Sequence, residues 1–306
     1  MLSAEDAREQ RRAHEERADA LTAGHRERRA RGEKHPVEDF LFSYYPFSAA
    51  RLRRWHPGWE IAYEVAADLR ADGSPAIADV GPDGMRSWYT DSPGPGGTTL
   101  RRADVERYRR ERADALGFMS RLLRGSSLAR RRPQFGCFGL HEWAMVHGLR
   151  PGEQRHEALP LRLSQAETDA VVEREHLVCS HIDAFRFFTP TAAPRNALAP
   201  TREDQPRNDN PACLHVGMDL YKWAMKLTPL VPSALVLDCF AHARDARVLD
   251  MEASPYDVRP LGYGVVPIET AAGKAEYARR QRALAERAEQ LRQRLLDALD
   301  GVMSPA

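Results

Sequence analysis

The chain has 306 residues, 42% hydrophobic and 29% charged, with 45 Lys and Arg against 44 Asp and Glu. Such a length buries a sizeable core as one large domain or two ordinary ones, and the composition excludes a disordered or fibrous chain. No apolar run approaches the roughly 18 residues of a membrane span, and charge from Glu5 onward leaves no apolar signal region. The reading is a cytoplasmic protein without a membrane partner.

In chain order, Ala4–Arg31 alternates acids and bases with few large apolar residues, the pattern of an exposed helix supported by i,i+4 pairs and packed loosely on the rest. Composition changes at His35-Pro36. An aromatic stretch follows, Phe40 to Phe47, and then the basic-aromatic run Arg51 to Trp59. Glu60–Val65 and Arg86–Thr90 read as short strands between Gly and Pro turns, and Ser92–Gly97 as a loop. Val105, Tyr108, Leu116, Met119 and Leu123 suggest a helix over 101–124. Ser164 and Glu167 form a capping-box pattern. Thr189–Pro211, rich in Pro, Asn and Asp, reads as a long ordered loop. Helices are expected at about 212–228 and 233–251, separated by Pro229 and Pro232. Val265–Ile268 suits a strand, and Ala271–Leu299 a long amphipathic helix. The sum is an α+β fold, predominantly helical with one small sheet and long helices at both ends. Its expected organisation is an N-terminal helix over 1–34, a catalytic domain over 35–270, and a C-terminal helix over 271–306 packed on it.

Four cysteines, none in a CxxC, make neither a disulfide scaffold nor a thiolate zinc knuckle. Residues 101–132 hold 11 Arg and four acidic residues. This local surplus suits either phosphate contact or a solvated helix face.

The chemistry-bearing pattern is the repeated placement of histidine beside carboxylate in apolar sequence. It occurs at His141-Glu142, at His181 with Asp183, at His215 with Asp219, and at Asp238 with His242. Burying such groups costs several kcal/mol unless they are paired or coordinated, so four occurrences point to a site. On a helix, His215 and Asp219 share a face, with Lys222 one turn further. Asp238 and His242 form the reverse pair, with Asp245 beyond. Two chemistries fit. One is a divalent transition metal, zinc or iron first and manganese as well, with His141, His181, His215, Asp238 and His242 as candidate ligands. The other is metal-free acid–base work. HExxH is absent, because Met145 stands four residues after His141. His14, His25, His147, His156 and His176 lie among polar residues and are expected at the surface. Arg202 lies in the long loop, where it suits bidentate recognition of a phosphate or carboxylate. Tyr44, Tyr45, Arg53, Arg54, Trp55 and Trp59 either stack bases or pack as a core segment with snorkelling arginines.

The phrases His35-Pro36-Val37-Glu38-Asp39-Phe40-Leu41-Phe42, Phe135 to Val146, Cys179 to Phe188 and Met218 to Ala224 carry a resemblance. They resemble a bacterial, mainly actinobacterial family labelled 3-methyladenine DNA glycosylase, over about residues 35–290. The helix-hairpin-helix of the well-understood alkylbase glycosylases is missing. The resemblance implies N-glycosidic hydrolysis of an alkylated purine, with DNA or a nucleoside as partner. Such an enzyme flips the base into an aromatic pocket and uses one carboxylate at the sugar or on water. Under it, Asp183 is the first choice for that carboxylate, followed by Glu142 and Asp219. Tyr45, Trp55, Trp143, Phe187, Lys222 and Arg202 are the candidate substrate contacts. The alternative is a metal-dependent enzyme acting on a small molecule or modified nucleoside through activated water.

Overall fold

The computed structural model describes residues 1–68, 85–150, 152–154 and 159–304. His156 lies outside them. In chain order they form α1 (Ala4–Ala30), α2 (Phe40–Tyr44), α3 (Ala49–Leu52), β1 (Tyr63–Glu64), β2 (Tyr89–Pro93), β3 (Thr99–Ala103), α4 (Val105–Gly125), α5 (Leu140–Ala144), α6 (Gln165–Arg174), α7 (Ile182–Phe185), α8 (Gln205–Asn208), α9 (Leu214–Lys226), α10 (Ser233–Glu252) and α11 (Ala271–Met303). The α+β, predominantly helical expectation holds. The chain divides into two compact units. One draws on 1–120, 221–241 and 293–306, the other on 121–220 and 242–292. Among the described residues, no helix is long and apolar enough to cross a membrane.

In the first unit, α1 starts at Ser3, whose hydroxyl accepts from the Asp6 amide at 3.1 Å. Ala7, His14, Ala18 and Thr22 form one buried stripe along it. Small side chains there let the helix approach closely, which explains how so polar a sequence still packs. His14, expected at the surface, is buried, with Nε2 3.1 Å from the Leu52 carbonyl. The sheet is antiparallel in the order β1-β3-β2, with Tyr63 opposite Arg101 and Tyr89 opposite Ala103. Residues 101–103 are therefore strand, not the start of a helix. Pairing through the 94–97 turn overrides the local helical spacing, and Asp104 then opens α4 by accepting from the Arg107 amide at 2.9 Å.

The aromatic stretch packs inward in this unit. Trp55 meets Tyr63 edge-on at 5.4 Å and belongs to a core cluster with Ala7, Ala67 and Tyr89. Tyr45 meets Tyr221 edge-on at 5.7 Å. Several arginines of 101–132 are engaged internally. Arg101 forks onto Asp91 at 2.8 and 2.9 Å and also meets Asp68, while Arg107 and Arg109 pair with Glu111 and Glu106.

In the second unit, the capping box at Ser164 and Glu167 opens α6. Val265–Ile268 is not a strand; the Val266 amide instead donates to the Glu252 carbonyl at 2.7 Å. Within α11, Gln281 is buried and donates to the Ala212 carbonyl at 2.7 Å. His147, expected at the surface, is also buried, with Nδ1 2.8 Å from the Thr191 hydroxyl.

Candidate metal site

The second unit gathers three of the sequence-selected histidines. His141 comes from α5, which starts after an unusual turn. Phe138 has φ 47° and Gly139 φ 74°, two successive left-handed residues of which only glycine adopts the conformation at little cost. This turn swings the chain so that Leu140 to Ala144 enter the interior, all five residues buried. His215 is in the first turn of α9, and His181 immediately precedes α7.

Two triads result. His141, His215 and Asp250 place potential ligating atoms within 4.8 Å of one another, as do His181, Asp183 and Asp219. All six residues are buried. The triads adjoin, because the His215 ring lies 4.5 Å from that of His141 and 5.3 Å from that of His181, centroid to centroid.

The first triad has the geometry of a ligand set. His141 Nε2 stands 2.8 Å from Asp250 Oδ1, yet neither atom makes a hydrogen bond. An ordinary ion pair aims its N–H at the oxygen, and this pair, though close, is off that alignment. Nδ1 of His215 is likewise buried without a partner. Buried polar atoms are almost always satisfied, and three unsatisfied ones converging fit a cation between them.

Asp250 is held from its other side. Arg247 Nη1 donates to Asp250 Oδ2 at 2.6 Å and to Glu142 Oε1 at 2.8 Å. Glu142 therefore acts through Arg247 and orients Asp250, in the way outer partners orient metal ligands. Burial alone would raise the Asp250 carboxyl, but His141 and then Arg247 hold it well below the usual range. Burial likewise lowers His141, and the Asp250 carboxylate outweighs it, raising the imidazole to about 10. His215 is driven well below its ordinary value by burial and by the neighbouring His141. It is thus a neutral donor at neutral pH.

In the second triad, His181 Nε2 lies 3.4 Å from Asp219 Oδ2, and neither ring nitrogen of His181 has a hydrogen-bond partner. Burial depresses this imidazole, while Asp219 and Asp209 raise it on balance. Asp183 Oδ1 takes Arg202 Nη2 at 2.5 Å and lies 3.6 Å from Arg186 Nη1. Both arginines are about half exposed, so Asp183 marks the side of the cluster nearest the surface.

The other selected residues have partners of their own. His242 Nδ1 accepts from Arg287 Nε at 3.0 Å. Asp238, in the first unit, pairs with Arg17 and Arg294 at 2.7 Å each. Lys222 sits over the Trp223 ring at 4.6 Å. Trp143 is fully buried, donates from Nε1 to the Ala253 carbonyl at 2.9 Å and carries the Arg162 guanidinium 5.4 Å from its ring centroid. Phe187 is partly exposed under the Arg186 guanidinium at 4.8 Å. His215 and Asp219, one turn apart, serve different triads. Burial raises the Cys179 and Cys213 thiols, so they are neutral and not nucleophilic thiolates.

Asp250 and Arg247 were not selected from sequence. Their signal is an Arg and an Asp three apart among Val248, Leu249 and Met251, a charged pair with no solvent face. No family model, curated protein or solved structure matches the chain.

Proposed function

We propose that this protein is a metal-dependent hydrolase whose ion is held by His141, His215 and Asp250. The observation that carries the reading is the close, unbonded approach of His141 Nε2 to Asp250 Oδ1 beside the unpartnered His215 Nδ1. Two imidazoles and one carboxylate are the donor set of catalytic zinc sites and of iron(II) sites with open positions. Hydrolysis needs no redox change, which makes zinc the first choice. Such an ion brings the pKa of a bound water to about 7.

The residues of the chain divide the remaining work. Glu142 and Arg247 fix Asp250. Arg202 and Arg186 present cationic groups beside Asp183, which suits a substrate carrying a phosphate or carboxylate.

The resemblance to the 3-methyladenine glycosylase family supports a second reading on the same cluster. In it, Asp183, flanked by two guanidinium groups, serves as the carboxylate for N-glycosidic hydrolysis without an ion.

Elemental analysis of the purified protein, joined to hydrolysis assays on phosphoesters, nucleosides and methylated duplex DNA, separates the two. The metal reading expects stoichiometric zinc or iron and hydrolysis abolished by chelation and restored by the ion. Base release from methylated DNA that persists in chelator, from a protein without bound metal, overturns it in favour of the second.

A further inference from the structure

We propose that His181, Asp183 and Asp219 hold a second divalent cation beside the first, making the cluster a two-metal centre. The inference rests on the first-triad reading only for its neighbour; the second triad has its own support. His181 is fully buried, and neither ring nitrogen has a hydrogen-bond partner. A neutral imidazole always carries one N–H and one lone pair, so both sides of this ring call for a partner. Asp219 Oδ2 stands 3.4 Å from Nε2, and the ligating atoms of His181, Asp183 and Asp219 lie within 4.8 Å of one another.

A proton relay is the competing account of these three residues. It would join His181 to Asp219 directly, but at 3.4 Å that contact is long for a charge-assisted bond, and it leaves Nδ1 on the other side of the ring without a partner. Two carboxylates and one imidazole form a harder donor set than the first triad, favouring manganese or zinc. On the outer side Arg202 and Arg186 meet Asp183 through Oδ1.

His215 connects the sites. Its ring is nearly parallel to that of His181, with 20° between planes. Paired cations about 3.5–4 Å apart clamp the attacking and leaving oxygens of an in-line displacement. The substrate class this implies is an oxyanion ester or amide, in keeping with the two arginines at Asp183.

The test strips the full-length protein with chelator, titrates it with cobalt(II) or manganese(II) alone, and measures stoichiometry and electron paramagnetic resonance. Two ions per chain and a spin-coupled signal are expected. D219N and H181Q should each bind one ion and lose the coupling, and H141A should do the same from the other side. If a variant misfolds by circular dichroism, the wild-type stoichiometry and coupling still decide. A single uncoupled ion, lost in H141A and kept in D219N, overturns the second site and leaves the first intact. No bound ion at all overturns both.

Discussion

The imidazoles of His181 and His215 lie nearly parallel, 5.3 Å apart between centroids, each with a buried nitrogen that has no hydrogen-bond partner. They come from α9 and from the residue preceding α7, so the fold brings two buried imidazoles from separate elements into contact. Each imidazole leads a different triad, and the triads meet at this contact.

Arg247 is central to that arrangement. It is fully buried and bridges Asp250 and Glu142. R247M leaves two buried carboxylates without their cation, and removing one partner of such a pair costs about 3–5 kcal/mol. Urea denaturation should show that loss. The variant should also bind metal roughly 10–100-fold more weakly, as expected when an outer partner of a ligand is removed. A stability change under 1 kcal/mol would show that the bridge does not hold the site.

Binding of an ion to the native state alone stabilises by mass action, about 4 kcal/mol at a thousandfold excess over Kd. Adding zinc to chelator-stripped protein should therefore raise Tm by several degrees, and D250N should abolish the rise. An equal shift in D250N would place the binding elsewhere.

His56 provides a pH signature in the first unit. Its Nδ1–H donates to the Val231 carbonyl at 2.9 Å, and burial, followed by the nearby His14, depresses it from the usual 6.5 to about 3. Between those values the unfolded chain takes up a proton that the folded protein refuses. Folding stability is thus fully present above about pH 6.5 and falls as pH drops toward 3. H56N, which keeps an N–H for Val231, should flatten that acid limb in denaturation measured from pH 7 to 4. An unchanged slope would remove His56 from the account.

Gly217 marks a close approach within the second unit. A Cβ there would lie 2.8 Å from His242 Nε2, and His242 is buried and tied to Arg287. G217A should cost about 1–3 kcal/mol, as overpacking does, measured as a lowered urea midpoint. A neutral or stabilising result would mean that His242 moves freely.

Much of the candidate site is legible in the sequence because histidine beside carboxylate in apolar sequence is a costly pattern. His141, His181 and His215 were found that way, with Asp183 and Asp219. Asp238 and His242 satisfied the same spacing but face other partners. An i,i+4 interval fixes a shared helix face without fixing which face. On α10, with Val236, Leu237, Cys239, Phe240, Ala243 and Ala246 buried, amphipathicity does not choose one. Asp250 escaped notice because its histidine lies over a hundred residues away, on α5. The strand at 99–103 was hidden for a similar reason: its Arg101-Arg102 is held by cross-strand pairing and by Asp91 and Asp68, partners that local periodicity does not register.

The claim that His141, His215 and Asp250 bind a transition ion is tested most directly by crystallography with anomalous scattering at the metal absorption edge. The account predicts a peak about 2.0–2.2 Å from nitrogens of His141 and His215 and from a carboxylate oxygen of Asp250. A map without a peak there, in zinc-supplemented crystals and with His141 hydrogen-bonded to Asp250, would contradict it.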